Sequence, residues 1–196
     1  SSIIKEGEIG EIKLIQADFG FKAPLPLSRR LYDPILGGGA LLDIGIYPVF
    51  MAISLLGRPV EVCASIDPYP SGVDKQIVAV LKFASGALAN ISASFEAISP
   101  VEATIVGGDG YVRMTNRFHN ATANVQLSKG GKNIDIAVDR ESGYGYQFEA
   151  RHVCECLRNG LLESSVVSHD DTLLLMETLD RIRMTCGIRY PADEMK

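Results

Sequence analysis

Two polar side chains stand inside the most apolar stretch of the sequence, Gly37-Gly38-Gly39-Ala40-Leu41-Leu42-Asp43-Ile44-Gly45-Ile46-Tyr47-Pro48. On a helix, Asp43 and Tyr47 are four positions apart and lie one turn from each other on the same face. An acid and a phenol side by side in apolar surroundings can form a proton-transfer pair. The plainer reading is that Asp43 caps the start of the helix and Tyr47 is an ordinary half-buried tyrosine. Three further residues are candidates for a small-molecule pocket: Phe21 at the end of a strand, Arg30 before the glycines, and Tyr144 in a glycine-rich approach to a later helix. Phe21 suits a pocket wall or simple core packing. Arg30 suits a substrate oxygen, a cofactor phosphate, or a solvated loop. His152 and His169 read as helix-surface or capping residues and His119 falls in an unassigned loop. With no close His or Cys partners, no metal site is expected.

The elements that must position these residues follow from periodicity. Residues 11–21 alternate as a half-buried strand with Lys13, Ile15, Ala17, Phe19 and Phe21 on one side. Residues 23–34 read as a loop. The apolar run 40–56, ended by Gly57-Arg58-Pro59, predicts a helix. Pro48 inside it removes a hydrogen bond and clashes with the preceding turn, so an irregularity is expected just after Tyr47. Strand patterns follow at 60–66, 76–83, 87–96, 101–106 and 111–115, with weaker ones at 121–127 and 133–138. Asn90, Ser92, Ser94 and Glu96 alternate with Ala89, Ile91, Ala93 and Phe95, so one face is core and the other is wet or an interface. Residues 146–158 read as an amphipathic helix with Phe148, Val153, Cys156 and Leu157 on its stripe. Ser168 caps a last helix, and Val166, Leu173, Met176, Leu179 and Ile182 are expected in the core. The order predicts one α+β domain over residues 1–196, a largely antiparallel open-faced sheet of about six strands with helices on one face.

Composition bounds the function. The chain has 196 residues, 46% hydrophobic and 22% charged, with a formal net charge of -5, which gives no basic footprint for nucleic acid. Asp43 and Pro48 argue against a membrane span in the long apolar run. No signal peptide is visible, and cytoplasm is the expected location. The four cysteines, Cys63, Cys154, Cys156 and Cys186, lack metal or disulfide spacing and read as buried thiols. The glycine-rich turn 107–110 is followed by a strand, not a helix, and no Gly-x-Gly-x-x-Gly fingerprint occurs between strand and helix, so no nucleotide-binding domain is expected here.

Three blocks carry a resemblance: Gly7-Glu8-Ile9-Gly10-Glu11-Ile12, the segment from Gly38 to Tyr47, and Tyr146-Gln147-Phe148-Glu149-Ala150-Arg151-His152-Val153-Cys154-Glu155-Cys156-Leu157-Arg158-Asn159-Gly160. They resemble the C-terminal domain of the glucose-fructose oxidoreductase and inositol dehydrogenase family, within it the dimeric dihydrodiol dehydrogenases, which also oxidise D-xylose with NADP. The resemblance covers nearly the whole chain. It implies a two-domain NAD(P)-dependent oxidoreductase acting on a sugar, polyol or dihydrodiol hydroxyl. The cofactor would be bound mainly by a Rossmann domain preceding Ser1, and this domain would supply substrate contacts and a homo-oligomer interface through the open sheet face. In the family a lysine from a Glu-Lys-Pro segment works with a His or Tyr of the helix, and Tyr47 matches that position, with Asp43 orienting the substrate hydroxyl or the lysine. No Glu-Lys-Pro occurs in this sequence. Two alternatives remain open: a binding and dimerisation module without catalysis, and a redox-assisted lyase or glycosidase on the same fold.

Overall fold

The computed structural model describes residues 2–24, 29–138, 141 and 145–194. The alternating segments become β1 (Ile12–Gly20), β2 (Pro59–Pro68), β3 (Asp74–Phe83), β4 (Leu88–Ser94), β5 (Ala103–Gly107), β6 (Gly110–Thr115), β7 (Asn124–Lys129) and β8 (Lys132–Ile136). They form one sheet in the order β2-β3-β4-β1-β5-β6-β7-β8. β1 and β4 run parallel at its centre, with Ile15 opposite Ala89 and Ala17 opposite Ile91, and every other neighbouring pair is antiparallel. The α+β class is as expected; the strand count is eight rather than six. The two weakest patterns pair as a hairpin, because Gly130 and Gly131 both take the positive φ that a tight turn demands.

The period of two sorts the faces. Ile15, Ala17 and Phe19 of β1, Ile77, Ala79 and Leu81 of β3, and Ala89, Ile91 and Ala93 of β4 are all buried. Over them lies α2 (Ile46–Leu56) through Val49, Ala52 and Ile53, and beside it α4 (His169–Thr185), with Leu179 and Ile182 buried, packs on α2 and β2. Each of the Val, Leu, Ile and Phe side chains among them contributes about 1.5–3 kcal/mol on burial. On the opposite face Val78, Val80 and Leu88 are exposed beside Asn90. A short helix, α1 (Ser2–Lys5), which no sequence pattern indicated, precedes β1.

Several burial expectations are corrected. In α4 the cap is as read, a capping box of Ser168 and Asp171, but Leu173 and Met176 in its first half, and Val166 before it, are exposed. The buried residues of α4 all lie in its second half. In α3 (Tyr146–Arg158) only Cys156 is buried; Phe148, Val153 and Leu157 are open. Their amphipathic stripe finds no cover among the described residues. Cys63 and Cys154 are exposed as well, Cys63 in β2 and Cys154 in α3.

The segment Pro34–Leu56 is long and apolar enough to cross a membrane by composition, and half of its most apolar window is buried in the fold. It is not a uniform helix. A π-helical turn, Leu41–Gly45, precedes α2, so the irregularity lies before Tyr47 rather than after it. Pro48 falls just past the π-helical turn, which runs without a break into α2, so the missing N–H meets the widened rather than the regular ladder. The wide turn takes up the register change that proline would otherwise force as a kink.

Candidate active site

The glycines before the site helix leave no room for a side chain at Gly38 or Gly39. Gly39 has φ +113, and a side chain there would run into the carboxylate of Asp74 and approach the Tyr190 hydroxyl at 3.1 Å. Asp74, fully buried at the start of β3, accepts a hydrogen bond from the Leu41 N–H at 2.7 Å and so satisfies an open donor of the first turn. Burial raises its pKa from 3.8 to about 6, against the opposing pull of the Leu41 N–H. Its other oxygen, Oδ1, has no partner among the described residues. The Tyr190 hydroxyl donates to the Gly38 carbonyl at 2.7 Å. Tyr190 is in turn set by Arg183, which grips Asp193 with two bonds of 2.6 and 2.7 Å, while Asp193 accepts from the Tyr190 N–H. Burial, then the nearby Asp74 charge, pushes the Tyr190 phenol above its ordinary range. Sequence reasoning missed Asp74; a lone acid after Gly72-Val73 carries no signal that it caps a helix 33 residues earlier.

Asp43 lies in the π-helical turn, mostly buried, and accepts a 2.6 Å hydrogen bond from Arg30. The structure therefore brings these two predicted residues together. The Asp43 cap is replaced by Asp74, since Asp43 is inside the turn and not at its head. No hydrogen bond joins Asp43 to Tyr47 among the described residues.

Tyr47 begins the next turn, 43% exposed, with its ring 5.6 Å from Phe19 and 4.7 Å from His119. It lines two adjoining hollows on the helix-covered side of the sheet. One, about 470 Å³, is walled by Phe50, Met51, Ile105, Met114 and Phe118 together with His119. The other, about 310 Å³, lies against Ile46, Phe50 and Leu175. Gly45 lets the π-helical turn press on β4, since a Cβ there would already be 3.3 Å from that of Ala93. A larger hollow of about 560 Å³, lined by Arg113, Thr115, Gln126 and Asp135, opens at the β6–β8 edge. Its Arg113 alternates with Met114, a wall of the Tyr47 cavity, so it lies on the other side of the sheet. Phe21 is not beside Tyr47; its ring packs on Phe95 at 5.4 Å. Phe19, two positions earlier, makes the contact instead. Tyr144 lies outside the described residues. His119, which no sequence pattern placed, is a neighbour of Tyr47.

Residues 1–113 match the model of the GFO/IDH/MocA C-terminal domain. The chain belongs to that family. This GFO/IDH/MocA domain is 33% identical over 199 residues to the trans-1,2-dihydrobenzene-1,2-diol dehydrogenase of Danio rerio, covering 98% of this chain and 59% of the relative. To the enzyme of the same name from Xenopus tropicalis it is 32% identical, covering 97% and 59%. The chain thus spans about three fifths of the length of these relatives. Among solved structures, it superposes with a TM-score of 0.82 and 25% identity on the aldose-aldose oxidoreductase of Caulobacter crescentus complexed with glycerol, covering 94% of this chain and 56% of that one. KijD10, a 3-ketoreductase from Actinomadura kijaniata solved with NADP and TDP-benzene, shares the fold at a TM-score of 0.79 and 23% identity, over 94% and 57%.

Proposed function

We propose that this domain is the substrate side of an NAD(P)-dependent oxidoreductase moving a hydride between a nicotinamide and a hydroxyl of a sugar, polyol or dihydrodiol. The observation that carries this reading is Tyr47, a half-exposed phenol at the junction of two cavities, one turn from an Asp43 already oriented by Arg30. The relatives named for dihydrodiol and aldose chemistry support the substrate class.

The residues present do not fit the dinucleotide itself. The glycine-rich turns at 107–110 and 130–131 join strand to strand. The glycine-rich entry to the site helix, at Gly37–Gly39, already has the Asp74 carboxylate on the Leu41 N–H, where a phosphate would meet like charge. A dinucleotide has to be held by another domain, and the exposed Phe148, Val153 and Leu157 of α3 are a face for such a domain to cover. The uncovered sheet face, with Val78, Val80 and Leu88 open, is the surface through which the protein forms a homo-oligomer.

What this domain does is handle the hydroxyl and its proton. Oxidising an alcohol requires the hydroxyl proton to leave as the C–H hydride departs, and a positioned group that takes it contributes about 10²–10⁴-fold. Tyr47 Oη meets that hydroxyl and accepts its proton as the phenol's own proton passes to solvent at its exposed edge. Asp43, fixed by Arg30, accepts a hydrogen bond from a second hydroxyl. Phe50, Met51 and Phe118 keep water from the reacting side. In the protein joined to its dinucleotide-binding domain, Tyr47→Phe lowers turnover of D-xylose or a trans-dihydrodiol by about 10²-fold or more. Turnover equal to that of the unaltered enzyme removes Tyr47 from the mechanism.

A further inference from the structure

Three non-glycine residues among those described have positive φ: Val101 at 56°, Asn116 at 58° and Arg117 at 63°. A β-branched residue in that region is strained, and such strain persists only where surrounding structure enforces it. All three lie in the two segments that set His119. Asp18 accepts hydrogen bonds from the N–H groups of Val101 at 2.8 Å and Glu102 at 3.3 Å, which fixes the strained Val101. Val101 in turn accepts from the Phe118 N–H at 3.0 Å, and the Asn116 side chain donates to the Thr122 carbonyl at 3.0 Å. The held loop delivers His119 in stacked contact with Phe19, ring centroids 4.6 Å apart and 16° from parallel, and 4.7 Å from the ring of Tyr47.

Packing alone does not account for an imidazole here. An apolar ring would fill the place without leaving Nδ1 buried and, among the described residues, without a partner, as it is. A sealed N–H without an acceptor is rarer than a sealed lone pair, so the favoured neutral form carries its proton on Nε2. Burial, reinforced by the Arg117 guanidinium, holds the His119 pKa below its ordinary value, which keeps the ring neutral at neutral pH.

We infer that His119 is a further specificity-determining residue of this site, offering Nε2–H to a hydroxyl of the ligand held against Tyr47. The inference rests on the substrate-side reading above. It assigns the recognised group: a hydroxyl neighbouring the one that reacts, so vicinal diols and aldoses bind better than simple alcohols.

Two measurements test it. On the chain itself, ¹⁵N resonances of the His119 ring at neutral pH give the Nε2–H tautomer; the Nδ1–H tautomer or a charged ring overturns the assignment. In the protein with its dinucleotide domain, His119→Phe keeps the ring stack and raises KM for D-xylose about tenfold, with a smaller fall in kcat, as loss of one ligand hydrogen bond requires. His119→Gln, which keeps a donor, recovers part of that loss. An unchanged KM in His119→Phe, with the thermal midpoint preserved, shows a ring that only packs. If the unaltered enzyme turns over no hydroxyl substrate, the functional reading itself has failed, and the tautomer measurement decides the place of His119 alone.

Discussion

Asp74→Asn removes a buried charge while leaving an oxygen to accept from the Leu41 N–H. The folded carboxyl titrates at about 6 against an ordinary 3.8, so the folded chain holds this proton more tightly than the unfolded one. The contribution to stability is therefore fully present below the unfolded value and is lost as pH rises through the folded one. At 1.36 kcal/mol per unit the whole effect is about 3 kcal/mol, of which about 2 kcal/mol falls between about pH 4.5 and about pH 7. Other carboxylates act in the opposite sense: Asp193, pulled down by Arg183, and Asp171, pulled down by Ser168, lose stability as pH falls. The variant is needed to subtract them. Urea unfolding of both chains at the two pH values should show wild-type stability, relative to Asp74→Asn, falling by about 2 kcal/mol toward neutral pH. Parallel curves would refute the buried cap. A difference that grew toward neutral pH would mean that the helix N-terminus outweighs burial at this carboxylate.

Gly39→Ala forces a side chain into positive φ and against Asp74, so it should cost more than about 2 kcal/mol in the same unfolding assay. Adding Asp74→Ala should recover part of that loss, because the clash goes while the φ strain stays; full additivity would place the two residues apart. If the open face of β3 is the interface proposed above, Val80→Lys should shift sedimentation toward monomer while the folded state's circular dichroism is kept. A sedimentation coefficient that Val80→Lys leaves unchanged removes this face as an interface.

The eight strands were each legible because alternation is a local signal, and so was the site helix, marked by glycines at one end and an apolar run. Its irregularity was legible in kind but displaced, since proline reports a conflict with the preceding turn and the chain resolved it by widening the turn before Ile46. The first half of α4 was read correctly as apolar and wrongly as core, whereas the stripe of α3 was read as apolar with nothing in the sequence to say what lies against it. Periodicity identifies a face and says nothing of what lies against it. Asp74 and His119 were out of reach for a different reason. Each acts through a contact between segments distant in sequence, and a lone acid or a histidine in a loop has no pattern of its own.

Two tyrosines attend the same helix, and the difference between them bears on which does chemistry. Tyr190 is buried, and its hydroxyl is committed to the Gly38 carbonyl, so its polar atom is spent on holding the glycine entry in place. Tyr47 stands between buried Ile44 and buried Pro48 and Val49, yet remains 43% exposed. Its oxygen makes no hydrogen bond among the described residues. A phenol kept for packing would gain by turning its ring inward or by finding an acceptor, as Tyr190 does. Tyr47 instead rests its ring on Phe19 and His119 and leaves Oη free. The fold thus fixes the ring through contacts that do not use the hydroxyl. Removing that single oxygen should cost little stability, and a large loss of turnover in Tyr47→Phe can then be read as chemistry rather than as damage to the structure.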